Sequence, residues 1–192
     1  MAREQDAAAR ATWRAELRGI DPRQLVFLDE THTPTTLTPL WGRSRRGQRV
    51  VGRVARGRWH TVSLLATLTS AGFGPGLQVD GTVDRAVFDQ FVTEVLVPTL
   101  RPGQIVVLDN LSVHKSATTR QAIEAAGCTL RFLPTYSPDF NPIELAFSKL
   151  KHLLRRTGAR TVETVFAATQ AAYPRITSTD ALSYYRAAGY SL

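Results

Sequence analysis

QIVVLDN, residues 104–110, is the stretch on which the fold turns. It is a short apolar run that ends on an acid, and it reads as a buried strand. Working outward, the same signature appears in LVFLDE (25–30), which follows the turn signal Asp21-Pro22. A third apolar strand is CTLRFLP (128–134), stopped by Pro134. Between the last two lies SATTRQAIEAAG (116–127), a helix ended by Gly127. Before 104, the apolar positions 87, 88, 91, 92, 95 and 96 give 84–100 a helical period. Residues 59–70 predict a long strand, GFGPG (72–76) a turn and 77–81 a short strand, together a hairpin. NPIELAFSKLKHLLRR (141–156) predicts a helix, with two shorter ones near 161–173 and 178–187. Residues 4–18 form a lead-in helix, and 33–49 a loop-rich insertion.

The order is strand, hairpin, helix, strand, helix, strand, helix. It predicts an α/β domain with a mixed sheet, its first three strands antiparallel and the later ones parallel, flanked by helices. The boundaries are a lead-in helix and linker over 1–24 and one domain over 25–192.

Composition narrows the partners. Of 192 residues, 43% are apolar and 21% charged, as in an ordinary globular protein. No stretch reaches the roughly 20 apolar residues of a membrane span. A single cysteine, Cys128, forms no internal disulfide and reads as a small buried residue of an intracellular chain. Lys and Arg number 24 against 16 Asp and Glu, a net charge of +8, which favours a polyanionic partner. The alternative is a GC-rich genome that uses Arg where others use Lys, which the strong Arg and Ala bias partly supports.

Two strands share a further pattern. Leu25, Phe27 and Asp29 fall on one face by the two-residue period, and so do Ile105, Val107 and Asp109. Each strand buries apolar residues and then sets an Asp at its C-terminal end, where α/β sheets gather ligands. Neighbouring buried carboxylates repel and are costly unless compensated. A divalent cation solves both problems, and two ions about 4 Å apart could clamp a phosphodiester displacement. No Cys/His zinc spacing competes. The structural alternatives are a strand end for Asp29 and a turn or cap for Asp109. Glu144 reads first as a capping-box glutamate behind Asn141 and Pro142, a role compatible with a metal ligand.

LDET (28–31), LDNLSVHKS (108–116) and LPTYSPDFNPIELAFSKLK (133–151) together resemble the bacterial insertion-sequence transposases of the mariner-like superfamily. The resemblance runs from about residue 25 to RAAGY (186–190). It implies a ribonuclease-H-like fold with an Asp–Asp–Glu catalytic and metal-binding set, which maps to Asp29, Asp109 and Glu144. The 34 residues between Asp109 and Glu144 match the family's spacing. Asn110, His114 and Asn141 fall on supporting positions of the motifs. One departure is Phe147, where many members carry tryptophan.

What the resemblance implies is metal-dependent cleavage of transposon ends and strand transfer to target DNA. It implies Mg²⁺ or Mn²⁺, with two ions, a homodimer and a bacterial cytoplasmic setting. The alternatives are a related ribonuclease-H-like nuclease or a non-catalytic DNA-binding remnant. Such transposases join helix-turn-helix modules to this domain, and about 24 residues precede the first strand here. The expectation is a catalytic half, with terminal repeats recognised by a separate N-terminal module or an upstream reading-frame product.

Two basic surfaces are expected to meet DNA. The stretch 43–58 holds seven arginines, among them Arg43, Arg45, Arg46 and Arg49, flanked by Trp41 and Trp59. The helix after Glu144 carries Lys149, Lys151 and Arg155, with Ser148, Lys151, His152 and Arg155 on one side. A solvated loop and a solvated helix face are the plainer readings. His114 is expected to orient a phosphate or cap a helix, Asn110 to serve the metal or the turn, and Glu30 to face away from Asp29. Trp13, Phe88, Phe91 and Tyr173 read as core.

Overall fold

The computed structural model describes residues 6–17, 19–52, 59–111 and 114–190. Arg53, Arg56 and Arg58 of the basic arm lie outside the described residues. Among the described residues, five strands form one sheet in the order β3-β2-β1-β4-β5: β1 (Leu25–Pro34), β2 (Thr61–Thr69), β3 (Gly72–Asp80), β4 (Ile105–Leu108) and β5 (Thr129–Phe132). β1 and β2, and β2 and β3, pair antiparallel, while β1–β4 and β4–β5 pair parallel. The expected mixed sheet is thus present.

The alternation along each strand divides the core in two. Leu25, Phe27 and Val107 face the layer built from α1 (Ala7–Leu17), α4 (Ile143–Thr157), α5 (Val162–Ala172) and α6 (Ser178–Ala187). Val26, Leu28, Val106 and Leu108 face Phe88, Phe91 and Ile123 on the other side. Those three come from α2 (Arg85–Gln90), a π-helical turn (Phe91–Leu96) and α3 (Ala117–Ala125). A sheet covered on both faces requires strands apolar on both faces, which is why 25–28 and 105–108 read as continuous apolar runs. Trp13, Phe88 and Phe91 are buried as expected, as is Cys128, and Tyr173 is partly buried. No helix of the described residues is long and apolar enough to cross a membrane.

The sequence reading misplaces two strand limits. β3 begins at Gly72, so the glycine run expected as a turn is strand, and the turn is Ser70-Ala71. A Cβ at Gly74 would lie 2.6 Å from Thr67 Oγ1, and one at Gly76 2.5 Å from the Tyr173 hydroxyl. These glycines mark close approach across the sheet and by the Tyr173 side chain, not chain reversal. β1 also runs on to Pro34, because its second half pairs with β2 from Glu30↔Leu65 to Pro34↔Thr61. Asp29 therefore sits mid-strand, although β4 accompanies β1 only over Leu25–Phe27.

Candidate active site

The sheet places the acids through that unequal pairing. β4 stops at Leu108, so Asp109 emerges beside the stretch of β1 that has lost its parallel neighbour, where Asp29 lies. α4 begins at Ile143 and brings Glu144 in its first turn to the same place. Asp29, Asp109 and Glu144 line one cavity of about 450 Å³ with Glu30, Asn110 and Asn141. A larger cavity of about 630 Å³ lies between β3 and α5, lined by Leu77, Phe166 and Tyr173 among others. Its lining has no carboxylate and no cation, so it offers nothing to phosphate or metal.

Asp29 is 7% exposed. One oxygen accepts the Glu30 backbone N–H at 2.7 Å, and the other accepts the Asn141 amide Nδ2 at 2.7 Å. Burial, followed by the charge of Asp109, pushes its pKa up to about 7; the Glu30 N–H opposes this, Glu144 adds to it and His114 opposes it. Asp109 accepts from His114 Nδ1 at 2.5 Å and from the Leu111 N–H at 3.2 Å. His114 is buried and stacks on Phe88 at 4.5 Å between ring centroids. It therefore holds Asp109 from behind. Asn110 reaches across to Thr135 Oγ1 at 2.8 Å and ties the end of β4 to the chain leaving β5.

The capping box expected over 141–144 does not form. α4 starts without a side-chain cap; the Asn141 amide Nδ2 donates instead to Asp29, 112 residues away. Glu144 is exposed and free of that structural duty. The oxygens that could hold a metal here are those of the three carboxylates; Asn141, which lines the same cavity, has its Oδ1 buried with no hydrogen-bond partner. Among the described residues no three acidic, His or Cys side chains already stand close enough to cage an ion. Such a hard, partly assembled oxygen set suits Mg²⁺ or Mn²⁺, which take few protein ligands and complete their shells with water and phosphate.

Glu30 lines the cavity from the neighbouring strand position and lies 3.4 Å from His32 Nδ1. Arg43, Arg45, Arg46 and Arg49 are exposed on the β1–β2 connection, as are Trp41 and Trp59. Lys149 is engaged by Asp180 at 2.7 Å. It sits about 140° around α4 from Glu144, whereas Lys151 and Arg155 fall on the Glu144 side. Lys151 is half-buried, and burial lowers its pKa against the pull of Glu144. Two features of the cavity mouth, Tyr136 and Leu111, carry no signal in the sequence that separates them from ordinary loop residues.

Metal ligands held from behind lose about 10- to 100-fold in metal affinity when the supporting group is removed. His114→Ala is expected to weaken Mn²⁺ binding by that factor in titration calorimetry. Unchanged affinity would show that Asp109 needs no support.

The family model described as DDE superfamily endonuclease matches residues 24–165. The Transposable element Tcb1 transposase of Caenorhabditis briggsae is 26% identical over 123 residues, 62% of this chain and 45% of that protein. The chain thus spans about half the length of that relative. The crystal structure of the mariner Mos1 paired end complex with Mg superposes with TM-score 0.74 at 16% identity, covering 98% of this chain and 61% of that one. The catalytic domain of Mos1 mariner transposase gives TM-score 0.67 at 16% identity, covering 98% and 88%. The sheet and its flanking helices have the ribonuclease-H-like fold of that domain.

Proposed function

The chain belongs to the DDE superfamily endonucleases, and from that membership we propose that it cleaves DNA at transposon ends and transfers the freed strand to target DNA. Asp29, Asp109 and Glu144 hold the metal. The observation that carries this reading is their meeting in one cavity from β1, β4 and α4. When bound, two Mg²⁺ or Mn²⁺ ions supply Lewis acidity at the attacking and leaving oxygens of the phosphodiester. Each residue has a share. Asp29 is the fixed carboxylate, oriented by the Glu30 N–H and Asn141. Asp109 is aimed by His114. Glu144 closes the set from the first turn of α4. The Mos1 paired end complex with Mg supports the choice of metal and of DNA for this chain.

Double-stranded DNA is the partner, with the exposed Arg43–Arg49 segment and the Lys151 and Arg155 side of α4 as the phosphate contacts. Such contacts position the duplex without reading its sequence. Recognition of the terminal repeats belongs to a helix-turn-helix module, and the acting species is a homodimer. Residues 25–192 form the catalytic domain, and the setting is an insertion sequence of a bacterial cytoplasm.

Glu144→Gln tests the metal assignment. The site is exposed and caps nothing, so thermal stability should stay within about 2 °C of wild type. Loss of a charged ligand removes several kcal/mol of transition-state stabilisation, roughly a thousandfold in rate. The assay is nicking of DNA carrying the transposon ends with Mg²⁺ or Mn²⁺. Full activity in this variant would remove Glu144 from the site.

A further inference from the structure

The mouth of the carboxylate cavity carries two side chains that metal binding does not use. Tyr136 is 56% exposed and Leu111 is 55% exposed, and both line the cavity. Tyr136 also has φ 53°, the one positive φ outside glycine among the described residues. A bulky residue in that region is strained, and it persists only where its surroundings fix it.

Those surroundings are explicit. On one side, Thr135 Oγ1 accepts from Asn110 Nδ2 at 2.8 Å. On the other, Ser137 Oγ donates to the Thr135 carbonyl at 3.3 Å and accepts from Arg10 Nη1 at 2.7 Å. Arg10 also grips both oxygens of Asp139, at 2.8 and 2.6 Å, and lies over the Phe140 ring. A brace from α1 and the end of β4 thus holds the turn on both sides of Tyr136. Its product is a half-exposed aromatic side chain in the lining of the site.

The geometry points to Tyr136 and Leu111 as a pinch that holds one unpaired nucleobase beside the scissile phosphate. This rests on the strand-cleavage function proposed above. The buried Asp29 lies inside the cavity, so the phosphate must enter it, and a stacked, paired neighbour hinders that entry. Bases unstack onto exposed aromatic rings with little regard to sequence, because every base has a π-face. The aliphatic Leu111, exposed in the lining of the same cavity, supplies the second apolar surface of the pinch. Stacking of this kind corresponds to about a tenfold to hundredfold effect per base.

Two measurements test the pinch. The first uses a duplex with an unpaired 3′ tail carrying 5-iododeoxyuridine, bound in Ca²⁺ and irradiated. The cross-link is expected at Tyr136, retained in Tyr136→Phe and lost in Tyr136→Gly. The second follows Tyr136→Gly itself. It should melt at a higher temperature than wild type, since glycine accepts the positive φ. It should nonetheless cleave fully paired DNA about tenfold to a hundredfold more slowly, with the rate restored when the base beside the scissile phosphate is mispaired. A purely structural role for Tyr136 would not give rescue by a mispair. A cross-link mapping away from both residues, or equal slowing on paired and mispaired DNA, overturns the pinch. If wild type cleaves neither substrate, the strand-cleavage reading fails, and the cross-link still decides the pinch.

Discussion

Asp29→Asn is expected to abolish cleavage while making the metal-free protein more stable at alkaline pH. The folded-state pKa of Asp29 is about 7, against 3.8 for an ordinary Asp. Its cause is burial first and the Asp109 charge second. A carboxylic acid with a raised folded pKa leaves the fold unpenalised below the unfolded value. The penalty grows as pH rises from about 4 to about 7 and is fully present above that. One pKa unit is about 1.4 kcal/mol, so the ionised side chain costs the fold on the order of 4 kcal/mol.

Asparagine carries no charge and still accepts from Asn141, though its single oxygen cannot also serve the Glu30 N–H. A net gain of a few kcal/mol should remain, several degrees in Tm above about pH 8. Near pH 4 the gain should vanish. Mg²⁺ should raise the Tm of wild type at the alkaline pH and leave that of the variant unchanged, since ligand binding stabilises only a state that binds it. Scanning calorimetry across pH, with and without Mg²⁺, makes the comparison. Retained cleavage, or an alkaline Tm no higher than that of wild type, would sink the assignment.

The second large effect is one of stability. Tyr185 on α6 is fully buried. Its hydroxyl donates to the Leu25 carbonyl at 2.9 Å and lies 3.3 Å from the Leu68 carbonyl. Its ring meets Phe27 and Tyr190 edge-on or tilted, at 5.4 and 5.8 Å. The side chain therefore seals the start of β1 and the end of β2, at the end of β1 away from the acids. Deleting a buried aromatic costs about 3–5 kcal/mol, and a buried carbonyl left unpaired costs a further 1–3 kcal/mol or so. Domains of this kind hold about 5–15 kcal/mol in total. Tyr185→Ala should therefore be largely unfolded near its working temperature, while Tyr185→Phe should lose only about 1–3 kcal/mol. Urea unfolding separates the two. Equal midpoints for both variants would refute the hydroxyl's share.

The sheet was legible in sequence because both of its faces are buried. Runs such as IVVL and LVFL admit few other fates, and the two-residue period put Asp29 and Asp109 on the layer facing α4. What escaped was set by contacts distant in sequence. The second half of β1 is polar, with Thr31 and Thr33 buried and His32 exposed between them. That alternation was masked by the prolines that follow. The glycines of β3 look like a turn until Thr67 and Tyr173 are in place. Glu144 looks like a cap until Asp29 claims Asn141. Nor does Tyr136 betray its left-handed backbone, since tyrosine is a residue that avoids it.

β1 outruns its parallel partner, and this gives the site a mechanical asymmetry. Asp29 is mounted on a continuously bonded ladder and acts as a fixed datum. Asp109, just past the end of its strand, is held by His114 and the Leu111 N–H, whereas Glu144 is an exposed side chain with three rotatable torsions and is the one adjustable post. On the metal-binding role proposed above, the ligand spacing would follow where the Glu144 side chain comes to rest. A site built in this way tolerates small differences in ionic radius.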